Sequence, residues 1–502
     1  MYILENKELY RYEVHSLVKA FYPAEDVRVV IEGTAKAEKE REDHPVPFMY
    51  VCFSENGIQI RYEDGRTYDT FGTEEADKAG GDVCYDRKSP ACKEALKHLV
   101  YRSLCEVTGK SLPWGDLIGI RPTKIAMAQI EKGATPEEAA AFMEAEHFCS
   151  SEKAALAARI AVREKSILDG MHRKDGYSLY IGIPFCPTTC LYCSFTSYSE
   201  ALWRNRIDEY VDTLIREMKE CAPLTEGLHL DCVYIGGGTP TTLSPLQLDR
   251  LLSAAEECFP VQQAAEFTVE AGRPDSITSD KLRVMKKHPV TRISVNPQTM
   301  RDRTLQLIGR RHSAGETADA FRLARQEGFD NINMDIILGL PGETAEDVRY
   351  TLEEIMKLSP ESLTVHSLAV KRASRLAGWI EANGFSMISN TDECMDIAAA
   401  GAAEMGMEPY YLYRQKNMAG NYENTGYAVP GSYGLYNMAI IEECQSILAL
   451  GAGAISKRLF FMDDGSIRIE RSDNAKDVET YLKNIDEMIE RKRKLFMPQE
   501  SD

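Results

Sequence analysis

Between residues 178 and 370 the sequence repeats one pattern six times: a short apolar, β-rich segment, a turn containing glycine or proline, and an amphipathic helix. The strand segments lie at 178–184, 231–237, 266–272, 291–297, 331–339 and 362–370. Helical periodicity falls at 208–220, 245–258, 314–327 and 345–357, with Ser or Thr near several starts as caps. Such alternation implies a parallel sheet with right-handed crossovers, since parallel neighbours cannot be joined by a tight hairpin. Six units predict an α/β fold with a partial (β/α)6, TIM-like barrel. At 502 residues the chain exceeds one ordinary core. The expected division is an α+β accessory module at 1–170, the barrel at 171–375 and a C-terminal domain covering the barrel at 376–502.

The first strand runs into a loop holding Cys186, Cys190 and Cys193 at C-x3-C-x2-C spacing. In a parallel βα barrel, this strand-end rim is where active sites sit. Structural zinc takes four ligands, and no second cysteine pair or nearby histidine completes such a set. Thiolates favour iron–sulfur clusters, and three cysteines leave one iron of a [4Fe–4S] cluster open. That iron can be chelated by the amino and carboxylate groups of S-adenosylmethionine (SAM), whose sulfonium bond is then cleaved by one electron to give a 5′-deoxyadenosyl radical. Three unligated core cysteines are the bland alternative. The chain has 13 cysteines, and the isolated ones, such as Cys105, Cys232 and Cys444, read as small buried apolar residues.

Other strand ends carry polar or glycine-rich signals. Gly236-Gly237-Gly238-Thr239-Pro240 follows the second strand, and bare backbone there can meet a carboxylate or ammonium group. Glu270 ends the third strand, Gln298 follows the fourth, and Asp335 lies in the fifth before Gly339-Leu340-Pro341-Gly342. Each reads alone as a turn or solvated residue; their recurrence on one rim points to a binding site.

YIGIPFC, CLYCSF, GGGTPTTL, IGRRH (308–312), DIILGLPGET and LGAGAIS occur together in this order. Over about residues 175–460 the chain resembles the radical SAM family of oxygen-independent coproporphyrinogen III oxidases, nearest its HemZ-like branch. The resemblance implies that Cys186, Cys190 and Cys193 ligate the cluster, and that Tyr180, Gly237, Glu270 and Ile455 hold the cluster-bound SAM. It places Tyr192, Gly238, Thr239, Gln298, Arg310, Asp335 and Ala369 where some members hold a second SAM. Tyr192 stands where the oxidase more usually has Phe, and Val295-Asn296-Pro297 replaces Met-Gly-Val. The haem-chaperone branch has His-Asn-x-x-Tyr-Trp after a Pro-Gly turn, whereas SYGLYN follows Pro430-Gly431 here. The implied reaction is oxidative decarboxylation of coproporphyrinogen III to protoporphyrinogen IX in porphyrin and haem biosynthesis, with a tetrapyrrole substrate and a one-electron reductant such as flavodoxin or ferredoxin. Haem binding as a chaperone and radical methyl transfer to a tetrapyrrole are the alternatives.

A net charge of −19 argues against nucleic acid, whose binding rests on Lys and Arg. No run reaches the roughly 18 apolar residues of a membrane span, and the acidic start lacks signal-peptide character. A cytoplasmic location is expected. In the flanks, strands are predicted at 48–54 and 57–62, a helix at 13–21, and charged loops at 35–43 and 73–81. Helix dominates 89–168, interrupted by Trp114-Gly115-Asp116 and by 119–124, a Gly-Ile-Arg-Pro-Thr-Lys run suited to a propionate, a phosphate or a plain surface turn. Lys371, Arg372 and Arg375 place three cations near the barrel mouth. Seven tyrosines make 410–436 an aromatic loop for stacking on a tetrapyrrole or packing on the barrel. The tail at 477–494 reads as an exposed amphipathic helix.

Overall fold

The computed structural model describes residues 1–70, 85, 87–195, 197–371, 374–384, 387–415 and 421–497. The expected charged loop at 73–81 lies outside them. The chain forms two compact units, one of Met1–Ala161 with Arg414–Tyr422, the other of Val162–Tyr413 with Glu423–Asp502.

The first unit holds a five-stranded sheet of β1 (Tyr2–Glu5), β2 (Arg28–Ile31), β3 (Met49–Ser54), β4 (Gly57–Tyr62) and β5 (Thr67–Asp69), in the order β2-β1-β3-β4-β5. Val14, Leu17 and Val18 of helix α1 (Arg11–Phe21) share its core with Leu96, Val100 and Leu104 of α3 (Pro90–Thr108). The expected charged loop at 35–43 is instead helix α2 (Ala35–Asp43). Its Ala, Lys, Glu and Arg are strong helix formers, and Thr34 caps the first turn by accepting from the Ala37 N–H. Only Ala37 of α2 is buried, so no apolar stripe announced it. Helices α4 (Thr123–Glu131) and α5 (Pro136–His147) follow. The 119–124 run is the turn entering α4, with Ile120 and Lys124 exposed and Thr123 buried.

The second unit is built on an eleven-stranded sheet. β6 (Gly176–Ile183) is followed by the small β7 (Phe185–Cys186) and β8 (Tyr198–Ser199) pair, then by β9 (His229–Gly237), β10 (Glu266–Gly272), β11 (Arg292–Val295), β12 (Ile332–Leu338) and β13 (Ser362–Ser367). β6, β9, β10, β11, β12 and β13 are the six predicted strands, all parallel and neighbours in chain order. Their near-continuous apolar burial is what a sheet covered on both faces requires. The intervening helices include Ile207–Cys221, Pro245–Cys258, Ala314–Gln326 and Ala345–Met356. Capping boxes begin the last three, from Ser244, Ser313 and Thr344.

The sheet extends past both ends of this series. β14 (Glu408–Tyr413) and β15 (Asn424–Ala428) continue it antiparallel beyond β13. Within the expected aromatic loop, 410–413 and 424–428 are strand and 435–436 begin a helix, with Tyr410, Tyr411, Tyr427 and Tyr436 buried by packing. At the other end β16 (Ser446–Leu450) lies parallel to β6 as a seventh parallel strand, followed by antiparallel β17 (Ile455–Phe461) and β18 (Ile467–Asp473). β6 and β13 do not pair among the described residues, so the series stays open. No described helix is long and apolar enough to cross a membrane.

The tail differs from its exposed reading. It forms helices Val478–Lys483 and Ile485–Phe496, which bury Val478, Tyr481, Ile485, Met488, Ile489, Leu495 and Phe496. Lys492 is fully buried beside Glu217, with Nζ 2.8 Å from Oε1. Glu217 also accepts from Asn474 Nδ2 at 2.8 Å, Tyr481 Oη at 2.7 Å and the Gly451 N–H at 2.8 Å. Its carboxylate is thus saturated with donors, which a buried charge requires. Lys492→Met should destabilise the chain by about 3–5 kcal/mol by stranding the carboxylate, while Glu217→Gln/Lys492→Met together should recover part of the loss. Chemical denaturation of the three chains measures this.

Candidate active site

Five strands each place one half-buried residue between buried neighbours: Tyr180 in β6, Tyr234 in β9, Glu270 in β10, Asp335 in β12 and His366 in β13. Strand pairing puts Tyr180 opposite Tyr234, Glu270 opposite Ser294, and Asp335 opposite Thr364. Side chains alternate across a strand, so this register collects them on one face. The rings of Tyr180, Tyr234 and Tyr436 stack there, with centroids of Tyr234 and Tyr436 4.5 Å apart.

The glycine triplet fits against this face. A Cβ on Gly236 would lie 2.8 Å from Glu270 Oε2, and one on Gly238 would lie 2.6 Å from the Phe185 carbonyl oxygen. Gly237 has φ +106°, in the region that excludes most side chains, and any Cβ would meet Tyr180 Oη at 3.1 Å. The Tyr234 hydroxyl donates to Glu270 Oε1 at 2.5 Å. Burial pushes Glu270 up to about 7, against the Tyr234 and Gly237 hydrogen bonds that favour its charged form. Asp335 moves the other way: His366 and hydrogen bonds from Asn333 and Thr364 outweigh its burial and hold it below the usual carboxylate range. Two neighbouring carboxyls are thereby set to different proton affinities.

Cys186 ends β7, and Cys190 and Cys193 lie on the following loop, Cys190 buried and the other two half-buried. The IGRRH segment clamps this loop: the Leu191 N–H donates to the Ile308 carbonyl at 2.9 Å and Thr188 Oγ1 to the Gly309 carbonyl at 2.8 Å. Arg375 donates to the Thr189 carbonyl. Thr239 Oγ1 lies 3.5 Å from Cys186 Sγ, and buried Arg273 Nη1 lies 3.8 Å from Cys190 Sγ and 3.0 Å from Thr188 Oγ1. Burial pushes the Cys186 thiol up to about 11 and raises Cys193 too. A bare thiolate is costly there, and a cationic metal centre removes that cost. Lys371 is half-buried near Cys193; Arg372 falls outside the described residues.

Buried Arg310 donates to the Asn296 carbonyl at 2.6 Å and lies 3.4 Å from Tyr192 Oη. Gln298 adopts φ 67° and bridges to β12, its N–H donating to the Asp335 carbonyl at 2.9 Å. Ser294 Oγ, Asn296 Oδ1 and Arg310 Nε are buried without hydrogen-bond partners. Three thiols beside buried guanidinium groups, with such orphaned polar atoms nearby, suit an iron–sulfur cluster and a polar, zwitterionic ligand. Tyr180, Gly237 and Glu270 are thus brought together, as are Gly238 and Thr239 with Cys186, and Tyr192 with Arg310. Ala369 lies half-buried just beyond β13. Ile455 opens β17 at 43 % exposure, and no hydrogen bond among the described residues ties it to the others. Sequence reasoning passed over Tyr234, Arg273 and His366. Their only signal was position: an alternating place in a strand, or the first residue beyond one.

The radical SAM superfamily matches residues 180–355, which defines the chain as a radical SAM protein, a class that uses a [4Fe–4S] cluster and SAM. It is 40 % identical over 413 residues to the oxygen-independent coproporphyrinogen-III oxidase-like protein HemZ of Bacillus subtilis, spanning 80 % of this chain and 82 % of that one. The chain belongs to the family of oxygen-independent coproporphyrinogen III oxidase-like proteins. The heme chaperone HemW of B. subtilis is 37 % identical over 195 residues, which cover 39 % of this chain and 51 % of that protein. The structure of coproporphyrinogen III oxidase (HemN) from Escherichia coli has the same fold, with a TM-score of 0.50 and 23 % identity over 65 % of this chain and 73 % of that one.

Glu270 binds its proton more tightly in the folded chain than in the unfolded one. Its contribution to stability is therefore complete below pH 4.5 and lost as pH rises to about 7, by about 3 kcal/mol at most. Denaturant titrations from pH 4.5 to 8 should show that Glu270→Gln lacks this component of the pH dependence. Parallel wild-type and variant profiles would contradict the assignment.

Proposed function

We propose that the chain carries out oxidative decarboxylation of coproporphyrinogen III to protoporphyrinogen IX, a step of porphyrin and haem biosynthesis. The observation that carries the proposal is the cysteine loop, clamped by the IGRRH segment and the glycine triplet beside the polar face of the sheet. Cys186, Cys190 and Cys193 hold the cluster in this reading. Tyr180, Gly237 and Glu270 orient SAM, with Ile455 at the margin. Thr239 and Arg273 favour thiolate charge through their contacts with Cys186 and Cys190. In the same reading Tyr192, Gly238, Thr239, Gln298, Arg310, Asp335 and Ala369 contact a second SAM or the substrate.

When bound, the cluster and SAM supply one-electron chemistry that removes hydrogen from an unactivated carbon. The propionate that has given up hydrogen then loses carbon dioxide and passes one electron to an external one-electron acceptor, leaving a vinyl group. The chain positions the propionates and excludes water, with Lys371 and Arg375 as cations on the rim. A cytoplasmic location, a flavodoxin- or ferredoxin-like reductant and no nucleic-acid partner accord with this role.

Similarity to the heme chaperone HemW supports a second reading, haem binding. Against it stands the 432–437 segment, which lacks the His and Trp of the chaperone signature. That segment is held inward, with the Ser432 carbonyl accepting from Arg292 at 2.9 Å and the Leu435 N–H donating to Glu266. Anaerobic reconstitution, reduction and incubation with SAM and coproporphyrinogen III should yield deoxyadenosine and a product lacking two carboxyls. Cys190→Ala should lower deoxyadenosine formation at least a thousandfold. Deoxyadenosine without decarboxylation would move the assignment to another substrate, S-adenosylhomocysteine would indicate methyl transfer, and tight stoichiometric haem binding would favour the chaperone.

A further inference from the structure

The first unit contains a cluster of side chains that the radical chemistry does not use. Helix α3 presents Glu94 and His98, spaced one turn apart on one face. Asp116 comes from the Trp114-Gly115-Asp116 turn, and His147 is the last residue of α5. The turn is shaped for this meeting. Gly115 has φ +54°, and a Cβ on it would fall 1.8 Å from the His147 carbonyl oxygen, so only glycine lets the turn seat on the end of α5. The Asp116 N–H donates to that carbonyl at 3.1 Å.

The ligand atoms of the four residues lie within 4.8 Å of one another. Asp116 Oδ1 is 3.1 Å from His147 Nδ1, and Asp116 Oδ2 is 3.4 Å from His98 Nε2. Glu94 Oε1 is 3.3 Å from His98 Nε2 and 3.4 Å from His147 Nδ1. Four atoms held about 2.05 Å from a common zinc ion in a tetrahedron are separated by roughly 3.3 Å. Glu94 Oε1 stands at this spacing from both imidazole nitrogens, and Asp116 reaches the two histidines through its two oxygens. Asp116 is fully buried, its Oδ2 faces the Lys97 ammonium, and His98 Nε2 lies against both carboxylates without hydrogen-bonding geometry to either. The buried His98 Nε2, without a hydrogen bond, and Asp116 Oδ2 thus face the same small space.

We propose that Glu94, His98, Asp116 and His147 form a structural site for a zinc-class divalent cation in the first unit. Two carboxylates and two neutral imidazoles balance a divalent charge, and four protein ligands leave no open position for catalysis. Glu94, with 43 % of its side chain exposed, provides the way in. The Lys97 ammonium lies 3.1 Å from Asp116 Oδ2 and 3.4 Å from Glu94 Oε1, where it is the counter-ion of the metal-free cluster. A bound cation displaces it, so Lys97 competes with metal for the same carboxylates.

The test uses the full chain carrying Cys186→Ser, Cys190→Ser and Cys193→Ser, which removes the cluster thiols as zinc ligands. After chelator dialysis, equilibrium dialysis against buffered Zn2+ should give one tightly held equivalent, and X-ray absorption at the zinc edge should show only nitrogen and oxygen neighbours. His147→Ala and Asp116→Asn should each weaken binding at least thirtyfold, whereas Lys97→Met should tighten it about tenfold or more. Lys97→Met and Asp116→Asn keep side-chain bulk, and circular dichroism checks that every variant is folded. Zinc held through sulfur, or no zinc held by the folded parent and Lys97→Met chains, would overturn the proposal and leave an internal ion-pair network.

Discussion

The site depends on the register of parallel pairing from β6 to β13. Because each strand end projects at a matched height, Tyr180 meets Tyr234, Glu270 meets Ser294, and Asp335 meets Thr364 on one face. A slip of one residue in any strand would turn its polar member into the covering helices and leave a buried group without a partner. The glycine triplet belongs to the same constraint, since Gly236 and Gly238 let β9 approach Glu270 and the backbone before Cys186. Register, bare backbone and the cysteine loop therefore stand or fall together.

Much of this was legible in the sequence, for identifiable reasons. Strands buried on both faces read as apolar runs, and capping residues such as Ser244, Ser313 and Thr344 marked where helices begin. The isolated cysteines read as buried apolar filler; Cys92, Cys149, Cys221, Cys232, Cys394 and Cys444 are buried, whereas Cys105, like Cys52 and Cys258, is only half-buried.

What stayed hidden was whatever tertiary pairing alone decides. β16 looks like other short apolar runs, and nothing local says that it lies beside β6. Helix α2 has propensity and a cap but no apolar stripe. In the tail, charge suggested solvent, yet Lys492 is buried because Glu217 waits for it on a helix far away in sequence. Tyr234, Arg273 and His366 carry no motif of their own; they became visible as site residues only when the sheet placed them beside Glu270, Cys190 and Asp335.

The pairing of β6 with β16 also bears on how the chain is made. Ser178 of β6 hydrogen-bonds Gln445, 267 residues later, and Glu217 waits 275 residues for Lys492. At typical rates of synthesis of about 5–20 residues per second, the cysteine loop leaves the ribosome roughly 15–50 s before those partners exist. During that interval the first strand of the series has an unpaired edge and three thiols at its end, a state open to aggregation and oxidation. Contacts this distant also make folding slow. Completion of the sheet, and with it a finished mount for a cofactor, is a late event in the life of each molecule.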